Sequence, residues 1–216
     1  MNQKEALKIL DLLEKQYSHP HIALHFHKPL ELLVATILSA QSTDAQINKT
    51  TPALFKKYKT AKDYAEADVE EFQKEIYSSG FYKSKAKNII AAAKRIVSDF
   101  GGEVPDTMDE LTRLPGVARK TANIVLANAF GKVVGIAVDT HVARLSQRLG
   151  FSKNKDPNKI EQDLLELIPK ERWYEINHLL IGHGRAVCNA KKPKCPSCVL
   201  RELCPSAPHF LEEHYS

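Results

Sequence analysis

The sequence predicts an all-α protein, and two observations carry the prediction. Apolar residues recur at a helical period through nearly every patterned stretch, and only residues 132–138 have strand character. One short strand cannot build a sheet. The 216-residue length and 43% hydrophobic content support a packed core, in one large domain or two small ones.

Each element follows from local signals. The N-terminus, Met1-Asn2-Gln3-Lys4-Glu5, runs straight into a mixed polar and apolar helix pattern. It lacks the charged, apolar, small-residue order of a secretory signal. Pro29 stands where a first helical turn needs no N–H, ahead of a helix over Leu30 to Ala40. Ser42 or Thr43 caps the next run, through Ala53, Leu54 and Tyr58. Between Lys83 and Phe100 the stripe comprises Ala86, Ile89, Ile90, Ala93, Val97 and Phe100, and Gly101-Gly102 ends the helix. Lys83, Lys85, Lys87, Lys94 and Arg95 read mostly as a solvated face beside it.

A short helix stops before Pro115, because proline disfavours helical geometry in the residue preceding it. Gly116 permits a tight turn, and a second helix begins near Ala118, burying Ala122, Val125, Leu126 and Ala129. The free N–H groups and positive dipole end of that helix make an anion site. Asp139 is placed to cap a helix over Thr140 to Leu149. Asp156-Pro157 opens another, closed by Pro169, and Trp173, Ile176, Leu180 and Val187 mark a face of the next. The tail after Cys204, with two prolines and mixed charge, is expected to be partly loose.

Composition narrows the partners without naming one. A net charge of +5 suits a polyanion, although many plain soluble proteins are as basic. Stretches such as Leu32 to Leu38 and Val133 to Val138 fall far short of the roughly 20 residues a membrane span requires. No membrane partner is expected, and the setting is expected to be reducing and cytoplasmic. There, clustered cysteines bind metal more often than they form disulfides.

The chain's four cysteines, Cys188, Cys195, Cys198 and Cys204, lie within 17 residues in a C-x6-C-x2-C-x5-C pattern. Thiolates select soft or borderline metals, so zinc and iron–sulfur are the candidates. Structural zinc usually pairs two short knuckles across a longer gap, whereas a compact cubane takes one thiolate per iron. The spacing leans to iron–sulfur and leaves zinc open. The loop between the first two cysteines carries Lys191, Lys192 and Lys194. A basic loop pinned at both ends loses little entropy on meeting a phosphate backbone, though such a loop also serves solubility alone.

Four ordered motifs make the pattern specific. Leu114-Pro115-Gly116-Val117-Ala118-Arg119-Lys120-Thr121-Ala122 resembles the helix-hairpin-helix signature of the endonuclease III family of DNA glycosylases. So do Leu38-Ser39-Ala40-Gln41-Ser42-Thr43-Asp44, Ala137-Val138-Asp139-Thr140-His141-Val142, and His183-Gly184-Arg185 leading into the cysteines. The likeness runs nearly end to end. It implies a [4Fe-4S] cluster on the four cysteines and two helical domains flanking a DNA-binding groove. The implied domains are a six-helix domain over 22–132, with the hairpin at 107–130, and a discontinuous cluster domain over 1–21 and 133–216, with its loop at 188–204.

The same resemblance implies a monomer that removes oxidised or ring-saturated pyrimidines from duplex DNA and cuts at the abasic site. Lys120 is the implied nucleophile and Asp139 its acidic partner. A neutral amine is needed for attack, and the helix start disfavours an ammonium there, with burial expected to add to the effect. Gln41 and Phe81 are the implied fillers of the hole left by an extruded base, although Phe81 also fits a core position. Further DNA contacts are implied for Asp44 and His141, for Leu114, Gly116, Ala118, Arg119 and Thr121 of the hairpin, and for Lys191, Lys192 and Lys194. Ala118 departs from the family, which usually has a second hairpin glycine there, and alanine resists a positive φ. A monofunctional adenine-type relative or a non-enzymatic DNA-binding module shares the hairpin, but Lys120 with Asp139 argues against both.

Overall fold

A computed structural model describes residues 1–17 and 22–212. Its helices are α1 (Gln3–Gln16), α2 (Pro29–Ser39), α3 (Asp44–Lys57), α4 (Ala61–Ala65), α5 (Val69–Glu75) and α6 (Tyr82–Asp99). They continue as α7 (Met108–Arg113), α8 (Arg119–Ala129), α9 (Thr140–Arg148), α10 (Pro157–Leu167), α11 (Trp173–Ala186) and α12 (Ala207–Glu212). There is no strand among the described residues. The chain divides into two compact units, Ile22–Val134 and Met1–His21 with Gly135–Ser216.

In the unit of residues 22–134, α2 is the central helix. Leu32 through Leu38 are all buried, as expected of a helix that is apolar on every side. It packs against α3, α6 and α8, and α6 in turn covers α4 and α5. Fully buried Leu32, Ile47, Phe72, Ile89 and Leu126 fill the space between them, each contributing about 1.5–3 kcal/mol by leaving water. The two short helices α4 and α5 carry too few periodic positions to be read from sequence. Their starts are nonetheless well marked, by Thr60 and Asp68, whose side chains accept first-turn amides.

In the other unit, α1 buries Ala6, Ile9, Leu10 and Leu13, and packs on α11, which also packs on α9. A capping box joins Asn2 and Glu5 at the start of α1, with both bonds at 2.9 Å. Residues 132–138 are extended but unpaired with any strand. Part of their backbone bonds side chains: Glu161 Oε1 accepts from the Ile136 amide at 3.2 Å, and Asn177 donates to the Ala137 carbonyl, while the Lys132 amide donates to the Leu126 carbonyl at 2.9 Å. The tail after Cys204 begins with α12 rather than as loose chain, and residues 213–216 lie outside the described residues. Among the described residues no helix is long and apolar enough to cross a membrane.

Candidate functional site

The hairpin is built by α7, a turn over residues 114–118, and α8. Leu114 closes α7 and places its side chain in the core, 2% exposed, so only its backbone remains at the turn, where its carbonyl accepts from the Val117 amide at 3.1 Å. Gly116 has two independent reasons to be glycine. Its φ is +78°, and a Cβ there would lie 2.8 Å from Cβ of Asn88 on α6. Ala118 stands at φ −85°, ψ 168°, an extended conformation that alanine adopts freely. The departure from glycine therefore imposes no strain.

Ala118 matters for a different reason. It is the N-cap of α8 and has no side chain to cap with, so the amides of the first turn receive no side-chain acceptor from it. Arg119 and Lys120 follow in that turn, both exposed, with Thr121 half-buried. The burial expected around Lys120 is not found, because its side chain is exposed in the first turn of α8.

A cavity of about 210 Å³ gathers Gln41, Phe81, Lys85, Asn88, Gly116 and Thr121. Gln41 and Phe81 have the two positive φ values found outside glycine among the described residues, +55° and +48°. Left-handed backbone is uncommon for such residues and costs of order 1 kcal/mol or more. Phe81 is 65% exposed, which removes the core placement that its aromatic ring allowed. Asp44 is the first residue of α3, half-buried just beyond Gln41.

Lys85 overturns the reading of its helix's lysines as a solvated face. Lys83, Lys87, Lys94 and Arg95 are exposed, but Lys85 is 4% exposed and donates to the Leu38 carbonyl at 2.7 Å and the Ser79 carbonyl at 2.6 Å. Burial pushes its ammonium below the usual lysine range. The signal was present in the sequence, since Lys85 stands four residues before Ile89 on the apolar stripe.

In the unit that contains residues 135–216, Asp139 caps α9. Its Oδ1 accepts from the amides of His141 and Val142, each at 2.8 Å, so both capping bonds use one carboxylate oxygen. His141 is half-buried against Arg144 and Gly184, where a Cβ on Gly184 would lie 2.9 Å from His141 Nδ1. Arg144 donates to the carbonyls of Gly184 and Cys188 at 3.1 and 2.9 Å.

All four cysteines border one cavity. Arg148, one helical turn beyond Arg144, donates to Cys188 Sγ at 3.3 Å and to the Asn189 and Ala190 carbonyls at 2.8 Å, and stacks on Phe210. The Leu200 amide points at Cys198 Sγ, 3.4 Å away, and His183 Nε2 lies 3.4 Å from the same sulfur. Burial holds the His183 imidazole down at about 4, so it is neutral at physiological pH. Burial also pushes the thiols of Cys195, Cys198 and Cys204 up, with the neighbouring cysteines adding to the effect. N–H groups directed at sulfur, around four thiols that border one cavity, fit a metal centre. Lys191 and Lys192 are exposed on the loop, whereas Lys194 is tied back to the Ala186 carbonyl at 3.1 Å.

A turn between two helices, with an uncapped second helix beside a cavity that holds two left-handed residues, places the chain in the helix-hairpin-helix class. Residues 34–170 match the HhH-GPD superfamily base excision DNA repair protein. The chain is 54% identical to endonuclease III of Synechocystis sp. (strain ATCC 27184 / PCC 6803 / Kazusa), over 95% of this chain and 94% of the relative. It is 47% identical to endonuclease III of Bacillus subtilis (strain 168), over 94% and 93%. A trapped endonuclease III–DNA covalent intermediate superposes with a TM-score of 0.93 at 43% identity, covering 98% of this chain and 99% of the other. The chain belongs to the endonuclease III family of this superfamily, whose members are DNA glycosylases and abasic-site lyases.

Proposed function

We propose that Lys120 is the nucleophile and Asp139 the acidic partner in excision of oxidised or ring-saturated pyrimidines, of the thymine glycol type, from duplex DNA. The observation that carries this is the start of α8, where unprotected first-turn amides and an exposed amine share one helix end. The amides and dipole bind a backbone phosphate, which brings the sugar of an extruded nucleotide to Lys120. The Lys120 amine attacks C1′, the C1′–N bond breaks, and the base leaves with the bonding electrons and a proton. Loss of the second amine proton and ring opening give the Schiff base. Removal of a 2′ proton then expels the 3′ phosphate by β-elimination. Asp139 stabilises positive charge at the sugar through the carboxylate oxygen not used in the cap.

Gln41 and Phe81 fill the vacated stack, and their exposure at one cavity supports this. Asp44, His141, Arg119 and Thr121, the backbone at Leu114, Gly116 and Ala118, and Lys191, Lys192 and Lys194 contact the DNA around the lesion. Cys188, Cys195, Cys198 and Cys204 hold one [4Fe-4S] cluster. Four thiols border a common cavity, which supports one centre shared by all four. When bound, the cluster supplies structural order to residues 188–204, and broad absorbance near roughly 400 nm tests for it.

The decisive test is borohydride trapping on duplexes bearing one thymine glycol or one abasic site. The wild-type protein should form a covalent adduct, and Lys120→Ala should form none. Active wild-type protein that leaves no adduct would remove the lyase chemistry from this reading.

A further inference from the structure

Lys85 is the one buried ammonium in the unit of residues 22–134 among the described residues, and both its hydrogen bonds go to backbone carbonyls. Burying a charge is costly unless its location repays the cost. The two carbonyls explain the location. Leu38 lies in the last turn of α2, where carbonyls have no intrahelical donor and where α2 has no basic residue of its own. Lys85, from another helix, supplies the missing cation. Ser79 ends the 3-10 turn over Tyr77–Ser79, directly before Gly80 at φ +66° and Phe81 at φ +48°.

Leu38 is thus three residues before Gln41, and Ser79 two before Phe81. One ammonium holds the approaches to both left-handed residues. Other bonds brace the second approach: the Phe81 carbonyl accepts from Ser84 Oγ at 2.9 Å and from the Lys85 amide at 3.1 Å. Three residues onward, Asn88 seats the hairpin glycine. Helix α6 therefore gathers the Gln41 turn, the Phe81 turn and the hairpin turn onto one cavity.

We infer that Lys85 is a positioning residue for base extrusion, its ammonium tying the Gln41 and Phe81 turns together so that both side chains enter the vacated stack as a unit. The inference rests on the reading of Gln41 and Phe81 as gap fillers. Lys85 touches neither the sugar nor the base, and its effect passes through those two residues. An apolar side chain of equal length would fill the volume but leave both turns untied.

A double-mutant cycle on the full-length, cluster-loaded protein tests this, using single-turnover rates at saturating enzyme on a thymine glycol duplex. Lys85→Met should slow the otherwise wild-type protein by about tenfold, and the Gln41→Ala/Phe81→Ala protein by less than about threefold, because the coupling is already lost there. Lys85→Arg, which keeps the charge and donors, should restore most of the rate. With 2-aminopurine opposite the lesion, Lys85→Met should weaken the fluorescence rise that reports loss of stacking. If Lys85→Met does not fold, Lys85→Gln takes its place in the cycle.

Equal losses in both backgrounds would overturn the inference and leave the gap-filling reading intact. An unaltered rate for folded Lys85→Met in the wild-type background would do the same. No loss in Gln41→Ala/Phe81→Ala itself would remove the gap-filling reading, and the positioning role with it.

Discussion

The starts of α8 and α9 stand in opposite electrostatic states. At α8 the cap is Ala118, which offers no acceptor, and the following turn bears Arg119 and Lys120. At α9 the cap is Asp139, which accepts two first-turn amides through a single oxygen. The second arrangement is what stability alone selects, since a capping carboxylate offsets the dipole and satisfies orphan donors. Among the described residues, seven helices have such a side-chain cap, at Asn2, Thr43, Thr60, Asp68, Thr107, Asp139 and Asp156. The bare end of α8 forgoes the stability a side-chain cap would add, as do the starts of α2, α6 and α11, and on the proposed reading its amides are kept for an outside anion. On the proposed reading the filled end of α9 serves two purposes, because the cap uses one carboxylate oxygen and leaves the group's charge in place.

Removing the functional group from each end breaks this comparison most severely. Lys120→Ala should lower strand cleavage by at least about 10³-fold while leaving the thermal midpoint unchanged, because the side chain is exposed. At the other end, Asp139→Asn and Asp139→Ala separate the two uses of the carboxylate. Asparagine caps as well as aspartate, so Asp139→Asn should retain stability but lose about 10²-fold in excision rate. Asp139→Ala should show a similar rate loss and an additional destabilisation of about 1 kcal/mol in denaturant melts. Equal stability of the two variants would show that the cap contributes nothing measurable.

The sequence displays some of these features directly and conceals others for physical reasons. Helices with a long apolar stripe or a polar cap, such as α6 and α10, are legible because period and cap are local properties. Helices α4 and α5 are too short for the period to show. The extended segment at 132–138 looks like a strand because it is a short run rich in β-branched residues, but the amide of Ile136 and the carbonyl of Ala137 bond Glu161 and Asn177, far along the chain. The four cysteines and Lys120 stand out by type and spacing. The groups that support them do not: Arg144 and Arg148 are an ordinary i, i+4 pair until the cysteine loop is folded against α9. Phe81 is the sharpest case, since an aromatic residue before a helix reads equally as core or surface, and only its left-handed backbone and exposure separate the two.

Filling the bare end sharpens the comparison with a smaller effect. Ala118→Asp gives α8 the cap it lacks and should raise stability by about 1 kcal/mol. The new carboxylate would occupy the same amides and repel a phosphate, so affinity for an abasic-site duplex should fall by about tenfold. The two signs together are the informative result, because a general packing defect would lower both. Ala118→Gly should leave affinity nearly unchanged, since the extended backbone at this position does not need glycine's freedom.

The smallest effect is expected on the cysteine loop, where charge acts without a helix end to focus it. Lys191, Lys192 and Lys194 are all exposed, but Lys194 also donates to the Ala186 carbonyl. If each of the first two neutralises one phosphate, Lys191→Ala and Lys192→Ala should each flatten the dependence of log affinity on log salt by about 0.9. Lys194→Ala should change that slope less and lower the thermal midpoint more, because it removes a tie between the loop and the end of α11. Charge at the loop would then be divided as it is at the two helix starts, with some groups spent on the fold and others kept for DNA. Identical salt slopes for all three variants would show that the tie to Ala186 yields to the DNA on binding.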